Sequence, residues 1–348
     1  RWTVRKGFPR WLKIVGFVVA LFLVVVLVVL TGLGWYVKRQ MLDSGGRLPE
    51  SMAAYDVRHY DLAVAVDPAS RFVGGSNTVS VEVVNPLSRF EIHLDDRMVV
   101  ESVAVDGTNR PFRHRRGLIR VDLAGRWSSG ESHEVQIVYG GEPKVALRPP
   151  WIDGFVWSET PTGAPWVGVT GQGDGGDNWW PCKDHPSDEP DEGVALHITV
   201  PKALRCISNG RLMGVEELGG DEVTYHWRVS TPINSYGVTI NLGPFVPVET
   251  SYSSVTGELI PVTWWALPES TQRAERLLGE LRKQLRFLEE ELGPYPFRGD
   301  KCSVVDTPYL AMEHQTAIAI GEQGDAVRGG FSFVVLHELS HEWWGNLV

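Results

Sequence analysis

His337-Glu338-Leu339-Ser340-His341, preceded by the apolar run Phe331-Ser332-Phe333-Val334-Val335-Leu336, decides how the C-terminal part of this chain is read. On an α-helix, residues four apart differ by about 400° of rotation and about 6 Å of rise, so both imidazoles leave one face within reach of a single ion. Glu338 stands about 100° further round, where a carboxylate can reach a metal-bound water without ligating the metal. Gly329-Gly330 before the stretch and Gly345-Asn346 after it predict a buried helix of about four turns between them. Two histidines that merely satisfy core hydrogen bonds would give the same string. With ten histidines in 348 residues, a chance match is expected in roughly a few per cent of such chains. The surrounding residues discriminate.

Directly after His341-Glu342 comes Trp343-Trp344-Gly345-Asn346, and upstream lies Leu310-Ala311-Met312-Glu313-His314. A third segment, Trp179-Trp180-Pro181-Cys182-Lys183-Asp184-His185-Pro186, follows Gln172 by a few residues. Together these resemble, in order and spacing, the zinc-helix, Gly-x-Met-Glu-Asn and Trp-x-Pro-Cys-x-Asp-x-Pro signatures of the gluzincin aminopeptidases, the family of membrane alanyl aminopeptidase and leukotriene hydrolase. The resemblance covers roughly residues 55 to 348. It implies one zinc ion held by His337 and His341, with Glu338 as general base. It further implies that Ala311, Met312, Glu313 and Gln172 meet the substrate, the last two at its free amino end. The substrates implied are peptides with a free N-terminus. In the family a third ligand, a Glu, and a catalytic Tyr lie further along than the equivalent of Val348, so the chain is expected to be the N-terminal part of a longer enzyme.

Composition agrees with an enzyme of this kind without identifying it. The chain is 43% apolar, enough for one membrane anchor and about two globular domains. A net charge of −10, without a basic stripe laced with aromatics, argues against a nucleic-acid partner. Cys182, Cys206 and Cys302 are odd in number and lack a Cys-x-x-Cys pair, so they read as core thiols or as one bridge with a leftover.

The second clear signal is N-terminal. Residues 14–37 carry no charge and are mostly Val, Leu and Phe. At 1.5 Å per residue they make about 36 Å of helix, enough to cross a bilayer core of about 30 Å. A cleaved signal peptide is the competing reading, but its apolar region is shorter and no small-x-small site follows here. Arg1, Arg5, Lys6, Arg10 and Lys13 precede the span, whereas Lys38, Arg39 and Arg47 follow it. That asymmetry predicts a cytoplasmic basic tail over 1–13 and a catalytic part outside. The absence of Asn-x-Ser/Thr sequons favours a bacterial cell membrane.

Residues 38–54 read as a linker and 55–249 as a β-rich domain. Short β-branched runs at 62–66, 78–84, 134–139, 195–200, 223–229 and 236–240 are separated by turn formers, predicting an antiparallel sandwich or saddle. From 250 the pattern changes. Leu277, Leu278, Leu281, Leu285, Leu288 and Leu292 recur at helical spacing, Val304-Val305 reads as a strand, and Met312-Glu313 should lie at a sheet edge. Residues 250–348 are thus expected to be the start of a thermolysin-like α/β metallopeptidase domain. The acidic cluster Asp184, Asp188, Glu189, Asp191 and Glu192 invites a calcium reading, but its spacing does not match an EF-hand and it reads as a solvated loop.

Three positions depart from the family pattern. Leu310 replaces a Gly and could narrow the approach of the substrate backbone. His314 replaces an Asn, and Glu342 replaces a Gln beside the second ligand, where it could alter hydrogen bonding to that imidazole. An endopeptidase or small-molecule hydrolase built on the same zinc helix is the alternative function, and a non-catalytic scaffold of the same fold is the third. A catalytic zinc needs three protein ligands, and only two are in view. The 348-residue chain alone is therefore expected to hold zinc weakly, and metal analysis after exhaustive dialysis should find well below one zinc per chain.

Overall fold

The computed structural model describes residues 10–41, 48–171, 175–325, 327–328 and 331–347. Two compact units divide the chain, one up to Asp43 and one from Ser44. The first consists of helix α1, Arg10–Met41. Its stretch Arg10–Tyr36 is strongly apolar and is not buried. It is long and apolar enough to cross a membrane; a signal sequence passes the same test. Thr31 donates its hydroxyl to Leu27 O at 2.8 Å, which satisfies the one aliphatic hydroxyl in the span within the helix itself.

The second unit opens with a short helix α2, Glu50–Ala53, inside the segment read from sequence as linker. An eight-stranded sheet follows, in the order Arg211–Glu217, Glu222–Val229, Val194–Pro201, Tyr55–Asp67, Phe72–Val83, Ser132–Gly141, Met98–Val105, Thr108–Asn109. Alternation along these strands buries Val79, Val81 and Val83 and leaves their neighbours more open. One pair departs from the expected antiparallel pattern: Tyr55–Asp67 runs parallel to Val194–Pro201. The chain makes a long excursion after Gly141 and re-enters alongside its first strand, and only such crossovers permit parallel neighbours.

A three-stranded sheet (Leu87–His93, Leu118–Trp127, Phe112–His114) and a four-stranded one (Arg205–Ile207, Asn241–Gly243, Pro165–Thr170, Gly154–Glu159) share one core with the large sheet. Trp179, Trp180 and Cys182 are fully buried in it. His93 N donates to Cys182 O at 3.0 Å, and Asn77 Nδ2 donates to Pro181 O at 2.7 Å, so this segment plugs the sandwich. All three cysteines are free and buried.

Two sequence expectations fail in this layer. The acidic cluster is not a solvated loop throughout. Lys183 Nζ is buried against Asp188 (2.8 Å) and Tyr55 O (2.7 Å), and Asp184 accepts the Ser235 hydroxyl at 2.7 Å. Nor is 236–240 a strand. Ser235–Gly237 forms one 3₁₀ turn, and pairing begins at Asn241. The Asn209 side chain explains this: it donates to Gly237 O (2.8 Å) and accepts Thr239 N (2.8 Å), two groups that would otherwise need a ladder.

The remaining sheet has five strands in the order Val246–Ser253, Leu259–Ala266, Cys302–Asp306, Ile318–Ile320, Ala311–Met312. Residue 250 thus falls inside a strand that begins at Val246. Helix α3, Thr271–Leu292, buries Leu277, Leu278, Leu281, Leu285 and Leu288 against this sheet, whereas Leu292 is exposed. Asp306 collects Trp264 Nε1 (2.8 Å), Leu267 N (3.0 Å) and Arg273 (2.7 Å), which pins the start of α3 to a central strand. Helix α4 runs only from Phe333 to Ser340, capped by the Ser332 hydroxyl accepting Val335 N. It is shorter than the four buried turns expected, because the chain leaves helical geometry after His341, reaching φ 119° at Gly345.

Glu289, on α3, is almost fully buried and accepts four hydrogen bonds: Tyr252 OH (2.7 Å), Ser254 OH (2.6 Å), Val255 N (2.9 Å) and Tyr295 N (2.7 Å). Glu289→Ala strands all four donors, so it should lower folding stability by at least about 3 kcal/mol in chemical denaturation.

Candidate active site

α4 positions the two histidines as the sequence requires. His337 Nε2 and His341 Nε2 stand 3.4 Å apart. Two ligands each about 2.1 Å from a tetrahedral ion are about 3.4 Å apart, so the pair fits zinc without rearrangement. His341 Nδ1 lies 2.9 Å from Trp344 O, a contact that makes Nδ1 the donor and leaves the Nε2 lone pair for a metal. His337, Glu338 and His341 offer ligand atoms within 4.8 Å of one another, a grouping found nowhere else among the described residues. An ion touching both imidazoles is therefore beside the Glu338 carboxylate.

Glu338 is buried, and burial followed by the Glu313 carboxylate pushes it up to about 8. Burial and then His341 hold His337 below the usual imidazole value, which favours the neutral form that ligates. A cation at the two Nε2 atoms opposes the rise at Glu338, because opposite charge stabilises the carboxylate.

Ala311 and Met312 form the edge strand of the five-stranded sheet, antiparallel to Ile318–Ile320, and Glu313 follows immediately. All three are nearly fully buried. Asn346 Nδ2 donates to Glu313 O at 2.9 Å, so the turn after α4 is bonded to this strand end. Met312, Tyr309 and Ala319 cluster with Val156 from the four-stranded sheet and with Tyr236. Gln172 lies outside the described residues.

The departures from the family pattern read differently in three dimensions. Leu310 is half-buried and packs against the core beneath the five-stranded sheet. Glu342 does not address His341. It is fully buried, accepts Thr316 N at 2.9 Å and Tyr295 OH at 3.1 Å, and burial pushes it up to about 8. His314 is fully buried with both ring nitrogens unpartnered, and burial drives its pKa down to about 3, keeping it neutral.

Sequence reasoning missed Tyr236 and Asn209. Tyr236 OH lies 3.5 Å from Glu313 Oε1, and Asn209 Nδ2 reaches Gln315 O at 2.6 Å. Both come from the β-rich layer, far along the chain from Glu313, and no local pattern marks them. Asn346 carried a signal, as the last residue of the Trp343-Trp344-Gly345-Asn346 string.

This fold is that of the two-domain M1 zinc metallopeptidases, and the paired imidazoles on α4 suit the same metal. An M1 zinc metallopeptidase from Deinococcus radiodurans superposes with a TM-score of 0.73 at 24% identity, covering 88% of this chain and 67% of that one. A mutant two-domain M1 zinc metallopeptidase bound to L-arginine aligns equally well, with a TM-score of 0.73 over 89% and 68%. No family model matches the chain. By sequence it is similar to leukotriene A-4 hydrolase of Xenopus laevis, 23% identical over 86% of this chain and 49% of that protein. It is likewise similar to aminopeptidase N of Haemonchus contortus, 23% identical over 86% and 30%. Endoplasmic reticulum aminopeptidase 1 of Homo sapiens is 26% identical over 49% of this chain and 18% of its own length. The chain thus has the fold of M1 zinc metallopeptidases and is similar in sequence to aminopeptidases, and it spans about half or less of the curated proteins it matches.

A carboxyl whose folded pKa lies above its unfolded one binds more protons when folded, so its stabilisation is present at low pH and lost as pH rises through the folded value. In protein stripped of metal, Glu338→Gln should therefore become stabilising relative to wild type between about pH 5 and pH 8, reaching on the order of 4 kcal/mol. Denaturant titrations at both ends of that range measure it, and a pH-independent difference would exclude burial of charge as the cause.

Proposed function

We propose that the intact gene product is a membrane-anchored zinc aminopeptidase that removes residues from peptides with a free N-terminus. The reading is carried by one juxtaposition: a buried acid at a sheet edge, Glu313, stands beside a helix whose paired imidazoles fit zinc. Support comes from the aminopeptidases among the relatives, and from a mutant M1 zinc metallopeptidase that is bound to a Tyr-Ser-Ala substrate.

His337 and His341 would hold the ion, together with a further ligand. When bound, zinc supplies a Lewis acid that lowers the pKa of water and polarises a carbonyl. Glu338 takes the water proton and later delivers it to the leaving amine, its buried carboxyl lying next to both imidazoles. Glu313 holds the substrate ammonium by charge-assisted hydrogen bonds, with Gln172 as a neutral acceptor and Ala311 and Met312 alongside. Fixing the ammonium places the bond to be cut one residue in, which separates this chemistry from that of an endopeptidase. The α1 helix serves as the anchor, its basic N-terminal flank in the cytosol and the second unit outside. Residues from 55 carry the β-rich layer, and the layer from Val246 carries the zinc helix.

The discriminating experiment compares leucine p-nitroanilide with its N-acetylated twin. The free amine should be hydrolysed at least about a hundredfold faster in kcat/KM, because the blocked substrate cannot engage a buried carboxylate. Equal rates would leave the endopeptidase or small-molecule hydrolase reading. Glu338→Gln should retain zinc yet lose about a thousandfold in kcat.

A further inference from the structure

We infer that Tyr236 is a positioning residue for Glu313: its hydroxyl orients the carboxylate that receives the substrate's ammonium and so sets how tightly a free N-terminus is held. The inference rests on the aminopeptidase reading above. Tyr236 sits on the 3₁₀ turn Ser235–Gly237, and its OH is 3.5 Å from Glu313 Oε1. Tyr236 packs against the buried cluster of Tyr309, Met312 and Ala319, which restricts its side chain.

The backbone beneath it is locked to the same segment as Glu313. Asn209 Nδ2 donates both to Gly237 O (2.8 Å) and to Gln315 O (2.6 Å), while Gly210 N donates to Thr316 Oγ1 (2.8 Å). Asn209 therefore bonds the residue after Tyr236 to the second residue after Glu313, and the two side chains cannot drift independently. Their proximity is enforced rather than incidental.

The chemistry follows from donor and acceptor counts. Burial, and then the Glu313 charge, raise the phenol's pKa, so Tyr236 keeps its proton and can only donate toward the carboxylate. A carboxylate has about four lone-pair sites. Tyr236 engages one on Oε1, so the others stay available to an ammonium. A separation of 3.5 Å is long for such a bond, as is common for binding groups before substrate arrives.

The test uses the zinc-loaded intact gene product with Tyr236→Phe, Glu313→Gln and the double variant. Leucine p-nitroanilide turnover and calorimetric binding of L-leucinamide are measured, with zinc content and thermal midpoint as controls. Tyr236→Phe should raise KM and weaken leucinamide about three- to tenfold, leave kcat within about twofold, and have no further effect in the Glu313→Gln background. Unchanged KM and affinity would overturn the inference. So would an equal effect with and without the Glu313 carboxylate, which would make Tyr236 a packing residue only. A wild type that neither cleaves nor binds the free-amine probes would remove the aminopeptidase reading and this inference together. An active wild type with an indifferent Tyr236→Phe removes this inference alone.

Discussion

The site depends on holding two imidazole nitrogens 3.4 Å apart on a helix of only eight residues. A helix that short is not stable by itself, because the cost of nucleation is spread over too few backbone hydrogen bonds. Its order is imported from around it. Ser332 caps its start, and that cap is itself held, with Glu280 accepting Ser332 N (3.0 Å) and Gln284 donating to Ser332 O (3.1 Å). Its far end is tied down by Trp343 Nε1 donating to Gly293 O (3.0 Å) and by Glu342 on Thr316 N and Tyr295 OH. α3 thus serves as a clamp on both ends of the metal helix. The clamp's donors and acceptors are mostly paired inside an apolar layer, with Gln284 Oε1 an exception.

Catalytic geometry also requires the two layers to stay in register, since candidate substrate residues come from both. The contacts between them are buried and directional. Lys301 Nζ donates to Ser208 O at 2.7 Å and to Gly210 O, and lies over the Trp227 ring. Asp300 accepts the Ser230 hydroxyl at 2.6 Å. Trp166 Nε1 donates to Asp306 O at 3.2 Å, and Tyr309 OH donates back to Val169 O at 2.8 Å. Carbonyl oxygens left at the rim of the β-rich layer are therefore acceptors for the second layer's cations and hydroxyls. That arrangement ties the two layers together through buried, directional bonds, which is what a site built from both of them needs.

The histidine pair and the α3 stripe were legible because each repeats with the helical period over a few residues, where local geometry decides which side chains share a face. The strands at 62–66, 78–84 and 195–200 were legible for the corresponding reason at period two. The length of α4 was not, since it ends where the Trp343-to-Asn346 turn finds partners elsewhere. Asp184 and Asp188 read as solvated because charge normally is. Their partners, Ser235 and the strongly buried Lys183, are visible only once the chain has folded. The parallel pairing of Tyr55–Asp67 with Val194–Pro201 was equally hidden, because it spans a long excursion that no local signal describes.

What the amino-acid order determined unaided was chemistry carried by neighbours along the chain: two imidazoles and a carboxylate at helical spacing, an edge Met312-Glu313, and an uncharged segment long enough for a bilayer. Tertiary structure alone decided which distant groups complete that chemistry. It buried Glu342, buried His314 without partners, and set Tyr236 and Asn209 against the Glu313 segment. The physical reason is one of range. Rotation per residue is encoded locally, but which donor meets which acceptor between segments far apart in the chain depends on how two sheets and a helix pack, and no window of sequence contains that.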